Sequence, residues 1–170
     1  MVSSEGSSAA SPEIGLFQPD EPHHLDAARG IFEEYVASLG IDLQFQNIDE
    51  ELAGLPGEYA PPLGRLLLAT VDGELAGCGA FRPITDVDHA NACEMKRLYV
   101  RRAFRRFGLG RVIAQALMDH AREAGYSAML LDTLDEMETA RGLYVTLGFE
   151  EVAPYYFNPI AGSHYLKAVL

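Results

Sequence analysis

The segment Cys93–Leu117, CEMKRLYVRRAFRRFGLGRVIAQAL, decides how the rest of the chain is read. Its first part, ending at Val100, is apolar and strand-like. Arg101, Arg102, Arg105 and Arg106 follow, then Gly108 and Gly110, and then a helical pattern that begins with Arg111 on its first turn. A helix start presents backbone N–H groups without intrahelical partners and the positive end of the helix dipole. Glycines there let an anion approach the backbone, and the arginines add charge around it. The residues alone leave two readings open, a phosphate-binding helix start or a tight strand-to-helix turn with solvated arginines.

Charge distribution bears on that choice. The 170-residue chain carries a formal net charge of −12. Residues 1–63 hold 12 acidic side chains against one basic, Arg29, and seven of the 13 Lys and Arg lie between Lys96 and Arg111. A nucleic-acid binder would spread a basic excess over a whole face, so no nucleic-acid partner is expected. A single basic spot on an acidic body suits a small, highly charged ligand. No apolar run approaches the roughly 20 residues that span a bilayer, and MVSSEGSSAASPE reads as neither signal peptide nor core. Residues 1–12 are expected to be a disordered tail and 13–170 a single domain. Cys78 and Cys93 fall in apolar strand-like segments and read as buried free thiols, which points to a cytoplasmic protein without a membrane partner.

The spacing of apolar residues predicts a short strand in EIGLFQP. A helix follows, beginning near Pro22 and ending at Gly40, with Leu25, Ala28, Ile31, Phe32, Tyr35 and Leu39 on one stripe. IDEELAGLPG reads as a short acidic helix. GRLLLATVDGELAGCGAFRP is a hairpin around Asp72-Gly73, and ACEMKRLYV is the next strand. GLGRVIAQALMDHAREAG is an amphipathic helix expected to bury Val112, Ile113, Ala116, Leu117 and Ala121. A strand SAMLLDTL, a helix EMETARGLYVTLG, and strands FEEV and SHYLKAVL complete the order. The fold class is α/β in the α+β sense, a central mixed sheet flanked by helices.

Two other phosphate motifs fail. No G-x-x-x-x-G-K-[ST] is present. A dinucleotide fingerprint would place Gly108, Gly110 and the distal Asp132 together, but Ile113 stands at the third glycine and five residues separate Val100 from Arg106. Too little chain follows Asp132 to complete that fold.

RRFGLG, Arg105 to Gly110, matches the R/Q-x-x-G-x-G/A signature of the GCN5-related N-acetyltransferases, and ARGLYVTLGFEEV resembles that family's second characteristic block. The resemblance covers about residues 64–153 and implies the family's mixed-sheet fold, with acetyl-CoA as cosubstrate and a primary amine, on a small molecule or peptide, as acceptor. It places Leu98, Tyr99 and Val100 along the pantetheine arm and Arg105, Arg106, Phe107, Gly108, Leu109, Gly110 and Arg111 around the pyrophosphate. Glu94 stands where histone-acetylating members carry their base, and Tyr144 matches the tyrosine that protonates the coenzyme A thiolate. Met137 departs from the pattern, standing where relatives often have asparagine. On an alternating strand Glu94 would share a face with Lys96, Leu98 and Val100, and a structural Glu94–Lys96 pair is the alternative to a base. A core tyrosine is the alternative for Tyr144.

The five histidines show no ligand spacing, so no metal is expected. Tyr155, Tyr156 and Phe157 lie where relatives shape the acceptor pocket. The acidic first third predicts a cationic acceptor, and homodimers are common among relatives. The rival reading is a catalytically silent acetyl-CoA sensor or interaction module that keeps only the cosubstrate site.

Overall fold

The computed structural model describes residues 11–135 and 137–170, so nearly all of the expected tail lies outside the described residues. Seven strands form one sheet in the order β1-β2-β3-β4-β5-β7-β6. They are β1 (Ile14–Phe17), β2 (Arg65–Val71), β3 (Glu74–Ile84), β4 (Ala92–Val100), β5 (Ala128–Leu134), β6 (Glu150–Val152) and β7 (Ser163–Val169). Only β4 and β5 run parallel, and the helix α3 (Leu109–Glu123) connects them. The remaining helices are α1 (Pro22–Leu39), α2 (Ile48–Ala53) and α4 (Glu138–Thr146). The mixed sheet expected from the sequence is the observed one.

Local chemistry sets the boundaries. The β2–β3 turn needs left-handed backbone at both central positions, and Asp72 (φ 49°) and Gly73 (φ 84°) supply it. Pro22 opens α1, and Gly40, at φ 64°, closes it. Strand alternation splits the apolar residues between two faces. Leu66, Leu68, Cys78 and Ala80 pack with Ala28, Ile31 and Phe32 of α1. Leu67, Ala69, Phe81, Cys93, Met95, Met129 and Leu131 pack with Ile113, Ala114, Leu117 and Met118 of α3. Both cysteines are buried free thiols.

The structure corrects three details. Val112 is exposed, because the buried face of α3 is centred on Ile113, Leu117 and Ala121 with Ala114 and Met118 beside them, and each residue turns the helix by about 100°. Residues 102–107 form a 3₁₀ turn before α3 where the sequence shows only an arginine-rich link. The third concerns β4. Two residues of β3, Cys78 and Ala80, pair with Tyr99 and Lys96, so one extra residue is accommodated in β4, and Arg97 there has φ 62°. This bulge reverses the alternation. Glu94, Lys96, Arg97 and Tyr99 therefore face the α1 side, whereas Leu98 and Val100 join Met95 on the α3 side.

Candidate functional site

β4 and β5 pair only at Ala92–Ala128, Cys93–Met129 and Glu94–Leu130. Beyond Glu94 the two strands part, while β4 stays on β3 and β5 stays on β7. The gap opens into a cavity of about 810 Å³. Leu98, Tyr99 and Val100 line one wall and Leu131, Asp132 and Thr133 the other. α4 contributes Ala140, Leu143 and Tyr144, and the end of α1 with the segment after it contributes Tyr35, Leu39, Ile41, Leu43, Phe45 and Gln46. Tyr35 and Leu39, which sequence spacing assigns to the core stripe of α1, are therefore cavity wall.

One end of the cavity is basic and glycine-lined. Gly108, at φ 68°, has open space where a Cβ would stand, and Gly110 would meet only Leu143, at 3.4 Å. Both line the cavity together with Arg102, Arg105 and Arg111. The Arg105 Nε donates to the Val100 carbonyl at 3.1 Å, and the Arg111 Nη1 donates to the Thr146 hydroxyl at 3.0 Å, so both side chains are positioned from neighbouring elements. The remaining candidates of this segment do not face the cavity. Leu109 is fully buried in the α3 core, Phe107 packs against that core and Arg106 lies over the Phe107 ring at 4.7 Å. The sequence does not single out Arg102, because neighbouring arginines on an irregular link carry no periodicity to separate them.

Near the other end stand the titratable groups. Glu94 is 1% exposed, and the structure does not bring it to the cavity wall. Its Oε1 accepts from Arg82 Nε and Nη2 at 3.1 and 3.0 Å, and its Oε2 accepts from the Tyr155 hydroxyl at 2.7 Å. Asp132 does line the cavity. It accepts from the Tyr156 hydroxyl and from Asn158 Nδ2, the latter at 3.0 Å. No cation lies within ion-pair distance of it among the described residues. Lys96 and Arg97 also line the cavity. Arg97 holds Glu51, while Lys96 donates to Gln46 Oε1 at 3.1 Å and lies 3.8 Å from Glu94. Burial lowers the Lys96 pKa, with Glu94 acting against the shift.

Tyr144 is buried at the cavity wall, edge-on to Phe149, and its hydroxyl has no hydrogen-bond partner among the described residues. Burial pushes its pKa well up, and the nearby Tyr35 and Asp132 add to the shift. Tyr35, facing the same space, is raised to about 12, chiefly by burial. Both phenols stay protonated at neutral pH. Tyr155 and Tyr156 are fixed by Glu94 and Asp132, whereas Phe157 points outward, 86% exposed. Met137, whose thioether accepts from the Thr133 hydroxyl at 3.5 Å, also lines the cavity.

Gln46 and Asn158 are polar cavity residues to which sequence reasoning attaches no role. Asp132 lies in the buried strand that the family resemblance makes the other wall of the gap, and the sequence also offers it as a ribose ligand, but it attaches no catalytic role to this carboxylate. Away from the cavity, the side chains of Glu21, His23 and His24 bring their ligating atoms within 4.8 Å of one another on the exposed start of α1, a convergence that the linear spacing of histidines does not display. No helix among the described residues is long and apolar enough to cross a membrane.

Residues 27–149 match the family described as Acetyltransferase (GNAT) family. An uncharacterized N-acetyltransferase of Schizosaccharomyces pombe is 40% identical over 147 residues, covering 86% of this chain and 88% of the relative. Among solved structures, an acetyltransferase from Streptococcus agalactiae superposes with a TM-score of 0.73 at 20% identity, over 92% of this chain and 98% of that one. A second, an acetyltransferase from Salmonella typhimurium solved with its cofactor acetyl-CoA, gives a TM-score of 0.65 at 20% identity, over 92% and 93% of the two chains. The parted β4 and β5, the glycine-lined helix start between them and the match over most of the chain lead to one conclusion, that this protein is an acyltransferase belonging to the acetyltransferase (GNAT) family.

Proposed function

We propose that the protein transfers an acetyl group from acetyl-CoA directly to a primary amine, with Asp132 as proton acceptor and Tyr144 as proton donor. The observation that carries this reading is a single cavity that runs from the basic, glycine-lined start of α3 to the carboxylate of Asp132. The residues fit acetyl-CoA. The first-turn amides of α3 with Arg102, Arg105 and Arg111 suit its pyrophosphate, and the edge of β4 at Leu98–Val100, which has no strand partner on the β5 side, suits the amide groups of its pantetheine arm.

In the proposed reaction the acceptor's ammonium binds at Asp132, which takes one proton. The neutral nitrogen attacks the thioester carbonyl, a backbone N–H of β4 near Leu98 stabilises the oxyanion, and the C–N bond forms. As the C–S bond breaks, the Tyr144 hydroxyl protonates the departing sulfur and regains a proton from the nitrogen, so one proton is released to solvent from Asp132. Glu94, filled by Arg82 and Tyr155, acts at one remove by fixing Lys96 and the loop that carries Tyr156 and Asn158. A protein that only sensed acetyl-CoA would have no need of a cavity carboxylate without a cation partner.

The test is to mix the protein with acetyl-CoA and a panel of amines and to follow free thiol. Amine-dependent thiol release is expected. Thermal stabilisation by acetyl-CoA without release for any amine would instead indicate the sensor, and no stabilisation would remove the cosubstrate assignment.

A further inference from the structure

The amine end of the cavity is an incomplete polar site, and what it lacks describes the acceptor. Lys96 is 8% exposed and carries three donors, yet among the described residues it makes one hydrogen bond, to Gln46 Oε1. That oxygen is shared with Arg97 Nη1 at 2.8 Å. The Glu94 carboxylate, 3.8 Å away, is beyond hydrogen-bond reach and already holds Arg82. A buried ammonium with unused donors calls for an oxygen acceptor, and the space in front of Lys96 is the cavity.

The charges around this corner limit what that oxygen can belong to. Arg97 is matched by Glu51, while Arg82 and Lys96 are matched by Glu58 and Glu94. Asp132 is left over, one negative charge with no cation within ion-pair distance among the described residues, although Lys96 is close enough to feel it. An ammonium at Asp132 brings the corner to neutrality. A carboxylate on the same ligand would restore the excess negative charge, and a second ammonium would meet Lys96 and Arg97. The remaining wall, Leu39, Ile41, Leu43 and Phe45, is apolar.

We infer that the acceptor is an α-aminoacyl amide with an apolar side chain, its ammonium on Asp132, its neutral carbonyl oxygen on Lys96 and its side chain against Leu39, Ile41, Leu43 and Phe45. This inference rests on the acetyl-transfer reading above and narrows its acceptor. It also replaces the general cationic acceptor suggested by the acidic first third of the chain with a singly charged one. Free aminoacyl amides and the N-terminal residues of peptides share this chemistry.

The experiment measures kcat/KM with acetyl-CoA for leucinamide, leucine, isoamylamine and spermidine, and repeats it on Lys96→Met. Leucinamide is expected to exceed isoamylamine, which lacks the carbonyl, by about tenfold, the worth of one hydrogen bond to a charged donor. Leucine and spermidine should fall below leucinamide. In Lys96→Met the leucinamide-to-isoamylamine ratio should collapse toward one. Equal use of leucinamide and isoamylamine by the wild-type protein overturns the inference whatever the variant does, and so does a preference for leucine or spermidine, or an unchanged ratio in a folded Lys96→Met. Thiol release with any of these amines upholds acetyl transfer, so the inference can fail while that reading stands. A leucine-initiated peptide amide assigns the source: use equal to leucinamide means a chain end, and inertness means a free aminoacyl amide.

Discussion

Arg97 holds both oxygens of the Glu51 carboxylate, with Nε 2.8 Å from Oε2 and Nη2 3.1 Å from Oε1. This fork ties α2 to the bulge of β4, and the Tyr59 hydroxyl completes it by donating to Glu51 Oε1 at 2.8 Å. The pair fixes the segment that carries Phe45 and Gln46, and with it one wall of the cavity.

Glu51→Ala should therefore lower the unfolding free energy by about 3–5 kcal/mol at pH 7, because Arg97 is left charged and buried. Burial pushes the Glu51 carboxyl up, but the Arg97 guanidinium outweighs it, and the net shift is below the usual 4.5. A depressed folded-state pKa stabilises above the unfolded value and is lost as pH falls through the folded one. Urea unfolding of wild type and Glu51→Ala from pH 7 to pH 3 should show the difference shrinking on the acid side. A constant difference would mean that the carboxylate charge is not what matters.

Asp132→Asn and Glu94→Gln should separate by readout. Asp132→Asn removes the proposed proton acceptor and is expected to lower kcat/KM about 10²–10⁴-fold with little change in acetyl-CoA affinity. Glu94→Gln leaves that acceptor in place but weakens the hold on Arg82, Lys96 and Tyr155, so it should lower the melting temperature and depress rate less than Asp132→Asn does. The reverse order of rates would return the base role to Glu94.

Tyr144→Phe keeps the ring that packs on Phe149 and deletes a hydroxyl without a protein partner among the described residues. Stability and acetyl-CoA affinity should hold within about twofold, while kcat drops about 10²-fold. Unchanged turnover would make Tyr144 a core tyrosine.

Gly110→Glu places a carboxylate at the start of α3, in the wall that faces the proposed pyrophosphate. Calorimetry should show no acetyl-CoA binding, while circular dichroism remains that of the folded protein. Retained affinity in the folded variant would make the glycine-rich turn structural only.

The elements of this protein were legible in its sequence because each rests on short-range chemistry. Pro22 and Gly40 bound α1, Asp72-Gly73 turns the hairpin, and apolar spacing marks α3 and β5. The basic, glycine-rich start of α3 was legible for the same reason, since a helix start and its flanking charges are local. What alternation could not supply was the bulge at Arg97, which moved Leu98 and Val100 to the face opposite Glu94. Nor could any window of sequence show that β4 and β5 separate after three pairs, because that depends on their pairing with β3 and β7 instead. The end of the cavity around Asp132 is the most dispersed part. Gln46, Lys96, Asp132, Tyr156 and Asn158 come from four regions of the chain, and only the packing of the sheet against the segment after α1 makes them neighbours. Glu94 illustrates the difference. Its position in the strand was readable, but whether its carboxylate met the cavity or Arg82 was decided by partners 12 and 61 residues away.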